Sequence, residues 1–212
     1  MLQRISPDWG DVCIVAAPGP SLTADIAARC RGVPTIAVND AYRLFPDAEL
    51  LYACDAEWWR HHDGCRDFAG ERWSSHGNRV RDNKIDVGSK YGLSLIAGRD
   101  GEGFSLDPAV IHYGDNSGFQ AINIAGHKIA WRGRIALVGF DMRRVGEKGH
   151  FFGKHPQGLR TTRPQTYENW TKRFIAASRM LPEGVEIVNC TPDSALTCFK
   201  MMDLADALPT AA

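Results

Sequence analysis

Several things are absent from this 212-residue chain, and each absence removes a class of function. It has no excess of charge: 25 Lys and Arg balance 25 Asp and Glu. No global field therefore draws it toward nucleic acid or an anionic membrane surface, so any affinity for anions must come from a local cluster. No run approaches the eighteen or so apolar residues of a membrane span, and residues 1–9 lack the apolar stretch of a secretion signal. The six cysteines (Cys13, Cys30, Cys54, Cys65, Cys190 and Cys198) include no C-x-x-C pair. Buried thiols in a reducing cytosol are the plain reading. There is no G-x-G-x-x-G fingerprint and no G-K-[ST], which counts against dinucleotide oxidoreductases and P-loop kinases. Internal repeats, low-complexity runs and a domain linker are missing too.

What the chain does have is a series of short, continuously apolar runs at 12–17, 35–38, 50–54, 135–140 and 185–190, with weaker ones at 93–97 and 109–113. Unbroken apolarity, rather than alternation, marks strands covered on both faces. Helical segments fall between them. Ser21 is placed to cap a helix over 22–30 that ends at Gly32-Val33-Pro34, and Ser117 to cap one running to about 131. A third helix, about 165–181, puts Tyr167, Trp170, Phe174, Ala177 and Leu181 on one face and stops at Pro182. Alternating strands and helices imply one α/β domain over 1–212, Rossmann-like and doubly wound on a mainly parallel sheet. Residues 208–212 are expected to be a flexible tail. Two stretches fit no element, 63–90 and 141–163, and the second reads as a basic lid.

The candidate site gathers at the strand ends. Pro18-Gly19-Pro20-Ser21 follows the first strand: Gly19 permits close approach of a ligand, and the helix start offers backbone N–H groups to an anion. Asn39 ends the second strand, where an amide can meet a base edge or a sugar hydroxyl. Asp55 ends the third, with Glu57 two residues on. Ser117 and Gly118 open the long helix, and Gly139 and Asp141 close the strand after it. A metal site is not assigned. Asp55-x-Glu57 departs from Asp-x-Asp, and His61, His62 and Cys65 want a fourth ligand. The 141–163 stretch holds Arg143, Arg144, Lys148, Lys154, Arg160 and Arg163 against Asp141 and Glu147. Its His150 and His155 could serve as a base near neutral pH, while Arg143, Arg144 and Lys154 offset a departing phosphate.

The segments CIVAAPGPSL (13–22), 36–39, Ser117-Gly118, ALVGFD (136–141) and the late Asn189-to-Leu196 stretch resemble the bacterial sialyltransferases of glycosyltransferase family 42. They also resemble flagellin-glycosylation accessory proteins and archaeal hydroxymethylpterin diphosphokinases. Small Rossmann-like proteins of phages and prophages look similar along nearly the whole chain, HFFGKHP included. The sialyltransferase resemblance implies a cytidine monophosphate donor held by Gly19, Ser21, Asn39 and Ser117, with His150 or His155 as the base. Pro18 stands where that family has an asparagine, and the loop after Asp141 lacks its phosphate-binding tyrosines. The expectation is therefore glycosyl transfer from a nucleotide-activated sugar, with no required cofactor and magnesium optional. A magnesium-dependent pyrophosphoryl transfer from ATP, through Asp55, Glu57 or Asp141, and a non-catalytic phage nucleotide-binding protein are the alternatives. The expected partner is a nucleotide or nucleotide-sugar, with nucleic acid expected only as an acceptor.

Overall fold

A computed structural model describes residues 2–76, 86–153 and 162–209. In chain order the elements are β1 (Leu2–Gln3), β2 (Val12–Ala16), α1 (Ala24–Arg29), β3 (Thr35–Val38), β4 (Leu50–Tyr52), α2 (Ala56–His61), β5 (Glu71–His76), α3 (Val87–Tyr91), β6 (Ser94–Arg99), β7 (Val110–His112), α4 (Ser117–Lys128), β8 (Gly133–Val138), α5 (Pro164–Ser178), β9 (Val185–Asn189), β10 (Lys200–Met201) and α6 (Leu204–Ala207). Short 3₁₀ turns cover Asn39–Arg43 and Asp63–Cys65.

The strands form one sheet in the order β1-β6-β5-β4-β3-β2-β8-β9-β10, with β7 also paired to β6, and every pairing is parallel. From β2 the chain steps outward through β3, β4, β5 and β6, then returns to lay β8 on the other side of β2. The winding direction reverses at β2, and a crevice lies there at the carboxyl ends of the strands, above the loops that follow β2 and β8.

Strand alternation sorts the core into two layers. Cys13 and Val15 of β2 pack with Phe119, Ile122 and Ala125 of α4 and Phe174 and Ala177 of α5. Ile14 and Ala16 face the other way, toward Ala27 of α1, Trp59 of α2, Tyr91 of α3 and Leu204 of α6. All twelve residues of α4 are buried. Two of its polar members are matched inside: Asn123 Oδ1 accepts the N–H groups of Ser105 (2.9 Å) and His112 (3.1 Å), and Gln120 accepts the Tyr52 hydroxyl.

The apolar runs at 35–38, 50–54 and 185–190 correspond to β3, β4 and β9, the first to the residue. Two expected helix starts move. The first helix begins at Ala24, because Thr23 and not Ser21 accepts the capping N–H, that of Ile26 at 3.2 Å. The central helix is capped by Asn116, whose side chain accepts from Phe119 N–H, and Ser117 is its first turn. The third helix runs from Pro164 to Ser178, short of Pro182. The described part of 63–90 is not irregular, since it contains β5 and α3. The expected tail, 208–212, lies beyond the described residues from 210 onward. Among the described residues no helix is long and apolar enough to cross a membrane.

Candidate functional site

The floor of the crevice is a contact between two loops. Ala17 N–H donates to Val138 O (2.9 Å) and Gly19 N–H to Gly139 O (3.0 Å), which continues the β2–β8 ladder past the strand ends. A Cβ on Gly19 would stand 2.1 Å from Asp141 Oδ2 and 2.2 Å from Gly139 O. Gly139 has φ +70°, and a Cβ there would stand 2.0 Å from Ala17 O. Both glycines are therefore demanded by the chain's approach to itself, a reason separate from any ligand.

Asp141 is buried beneath this contact, at 2% exposure. Its carboxylate accepts the Ser21 hydroxyl at 2.8 Å and the Ser21 N–H at 3.2 and 3.3 Å. Burial raises its pKa above the ordinary carboxylate value, against the Ser21 hydrogen bonds and the nearby Arg143 charge, which lower it. Ser21, expected to face the ligand, is instead consumed by Asp141 and lies outside the cavity lining. With α1 beginning only at Ala24, the anticipated pair of anion-facing helix starts at Ser21 and Ser117 reduces to the second.

That second start is well built. Asn116 takes the Phe119 N–H at 3.0 Å. Ser117 Oγ accepts from Cys54 N–H at 3.2 Å and donates to Cys54 Sγ at 3.1 Å, so its hydroxyl ties the end of β4 to α4. The amides of Ser117 and Gly118 have no acceptor within the helix, and they stand at the positive end of a twelve-residue dipole. Burial first, and the Asp55 charge second, push the Cys54 thiol up to about 12, which disfavours its thiolate.

Above this floor lies a cavity of about 1230 Å³. Of the residues singled out from sequence, Gly19, Pro20, Asn39, Asp55, Ser117, Gly118, Gly139, Asp141, Arg143, Arg144 and His150 all line it. Lys154 and His155 lie outside the described residues. Asn39 adopts a left-handed φ of 47°, and its Oδ1 is buried with no hydrogen-bond partner among the described residues. Trp58 forms part of the adjoining wall, and its indole N–H donates to Asp40 Oδ2 at 2.9 Å.

The facing wall comes from the described part of the basic stretch, which is more ordered than a simple loop. Val145 bridges to Lys148 and His150 to Gly153, giving two tight turns. Phe151 N–H donates to Pro18 O at 3.1 Å, which fastens the second turn to the Gly19 loop. The His150 ring stacks on Phe152, with centroids 5.1 Å apart and planes 6° from parallel.

Sequence reasoning missed the contribution of α5. Tyr167 and Trp170 line the cavity beside Thr162 and Arg163 of the preceding stretch, while Phe174 and Ala177 on the same stripe of α5 enter the core. Trp170 is held by an indole hydrogen bond to Asp115 O at 2.6 Å and packs edge-on to Tyr167. Burial raises the Tyr167 phenol pKa, while a hydrogen bond with Thr162 and the Arg144 charge pull the other way. The 141–163 stretch contains no tyrosine. Tyr167 reaches the site from the helix that follows. Among the described residues, no three His, Cys, Asp or Glu side chains are grouped so as to hold a metal ion.

Fold and cavity together define a Rossmann-like α/β protein with a deep cleft at the reversal of its sheet. A solved structure of similar fold is the MAf glycosyltransferase from Magnetospirillum magneticum AMB-1, which superposes with a TM-score of 0.61 at 12% sequence identity. The match covers 99% of this chain and 36% of the larger protein, so the chain spans about a third of that enzyme's length. No protein-family model matches the sequence, and no curated protein matches it at the level of sequence. At such low identity the likeness is one of fold.

Proposed function

We propose that the protein transfers a glycosyl group from a nucleotide-activated sugar. The observation that carries this reading is the convergence on one cavity of the α4 amide start, Asn39, three arginines (Arg143, Arg144 and Arg163) and His150. The volume, about 1230 Å³, suits a nucleotide with an attached sugar and leaves room for an acceptor, since drug-sized ligands occupy roughly 300–1,000 Å³. In this reading the donor phosphate lies against the Ser117 and Gly118 amides and the arginines, where positive charge is concentrated. The Asn39 amide takes a base or ribose group. His150 accepts the proton of the acceptor hydroxyl as that oxygen attacks the anomeric carbon. The glycosidic oxygen departs with the nucleotide phosphate, whose charge the arginines stabilise. The fold shared with a glycosyltransferase supports the reaction class. Six free cysteines are in keeping with a reducing, cytosolic setting.

The test is a thermal-shift panel of CMP-, UDP- and GDP-sugars and ATP, with and without magnesium, followed by mass spectrometry of the products. A true donor at one hundred times its Kd stabilises by about 2.7 kcal/mol, or roughly 5–10 °C in a chain of this size. His150→Ala should keep that shift and lose turnover. A shift confined to ATP with magnesium, with pyrophosphoryl product, would replace glycosyl transfer by the diphosphokinase chemistry. Tight binding with every product absent would leave a binding protein.

A further inference from the structure

His150 sits on a turn, and its position depends on what braces that turn from behind. Asp40 follows Asn39 and is 3% exposed. Its carboxylate spends one oxygen on the Trp58 indole at 2.9 Å, while the other stands 3.8 Å from the Arg43 guanidinium and 3.6 Å from His62 Nε2. Arg43 is half exposed and does not line the cavity. From its anchor on Asp40 the guanidinium carbon lies 5.6 Å from the Phe152 ring centroid and 6.0 Å from that of Phe151. Those separations lie within the range where a cation is drawn to the face of an aromatic ring. Phe151 is the residue whose N–H is bonded to Pro18 O, and Phe152 is the ring on which His150 stacks. A line of contacts thus runs from a buried carboxylate, through an arginine outside the cavity and two phenylalanines, to the imidazole inside it.

We infer that Arg43 is a positioning residue: held by Asp40, it clamps Phe151 and Phe152 and thereby fixes the His150 ring at the cavity wall. The clamp rests on the proposed role of His150 only for its purpose, since the geometry itself can be tested without any substrate. A rigid planar cation suits two aromatic faces and one carboxylate at once. Lysine could keep the charge but only part of the contact.

The His150 imidazole resonances, assigned by loss in His150→Gln, carry a ring-current displacement from Phe152, and Phe152→Leu gives its full size. Arg43→Gln should remove most of that displacement and Arg43→Lys only part, with melting temperatures checked to show that both variants are folded. A displacement in Arg43→Gln equal to that of the unaltered protein would overturn the clamp, whatever the transferase assay finds. Failure of the transferase assay with the displacement lost as expected would remove the proposed chemistry and leave the clamp standing.

Discussion

The two ends of α4 use buried polarity in opposite ways. At the carboxyl end Lys128 is 4% exposed, yet its ammonium meets Asp8 at 3.1 Å and Glu71 at 3.7 Å and stands 5.5 and 5.9 Å from the Trp9 and Trp73 ring centroids. The protein itself supplies everything that this cation needs, and the helix dipole favours a cation at that end. At the amino end Asn116, Ser117 and Gly118 present a cap, a tied hydroxyl and two amides without helical acceptors to a large cavity. One end is closed on itself and the other is addressed outward. Burial of polar groups is therefore not the mark of the site; burial beside a volume that another molecule can fill is.

The largest effect expected from breaking this contrast is structural. Lys128→Ala removes a buried cation from beside two carboxylates and two tryptophan rings and should cost about 3 kcal/mol in urea denaturation, as breaking a buried ion pair does. The nucleotide-induced rise in melting temperature should survive unchanged. If it shrinks, the carboxyl end is coupled to the cavity and the division is wrong. Next comes Asn116→Ala, which loses a helix cap worth about 1 kcal/mol. Here the ligand-induced rise should fall as well, because the first-turn amides lose their register. An undiminished rise would place the phosphate elsewhere. The smallest effect concerns Asp141. Its folded pKa is raised by burial, so the stability linked to its protonated form is complete below the ordinary carboxylate pKa and is lost as pH rises through the raised folded value. Asp141→Asn cannot ionise and should flatten that decline in urea midpoints measured across mildly acidic pH. An unchanged slope would mean that Asp141 titrates alike folded and unfolded.

Much of the fold could be read from residues because its central strands are buried on both sides and hence uninterruptedly apolar. β3, with all four residues buried, is the clearest instance. β5 escaped notice for the converse reason. Its sequence, ERWSSH, hides two serines at the interior, and Ser74 is accommodated by a hydroxyl bond to Ala53 O at 2.8 Å that no local pattern announces. The Ser21 cap failed because its partner, Asp141, is 120 residues away. The glycines at 19 and 139 stand out in the sequence as places for a ligand to approach, but their first cause is the contact of their two loops with each other. Tyr167 and Trp170 read as core because they share a stripe with Phe174. They line the cavity because the first turns of α5 stand over the cleft, a fact of placement and not of periodicity.

The position of β2 sets the order in which the molecule can become competent. It is flanked by β3, some twenty residues later in the chain, and by β8, more than a hundred residues later. During synthesis its second edge must wait, unpaired, until most of the polypeptide has emerged, and closing so long a loop makes for slow folding. The contact of Gly19 with Gly139, and with it the cavity floor, is thus among the last features to form, and no early fragment of the chain contains even a weakened version of it.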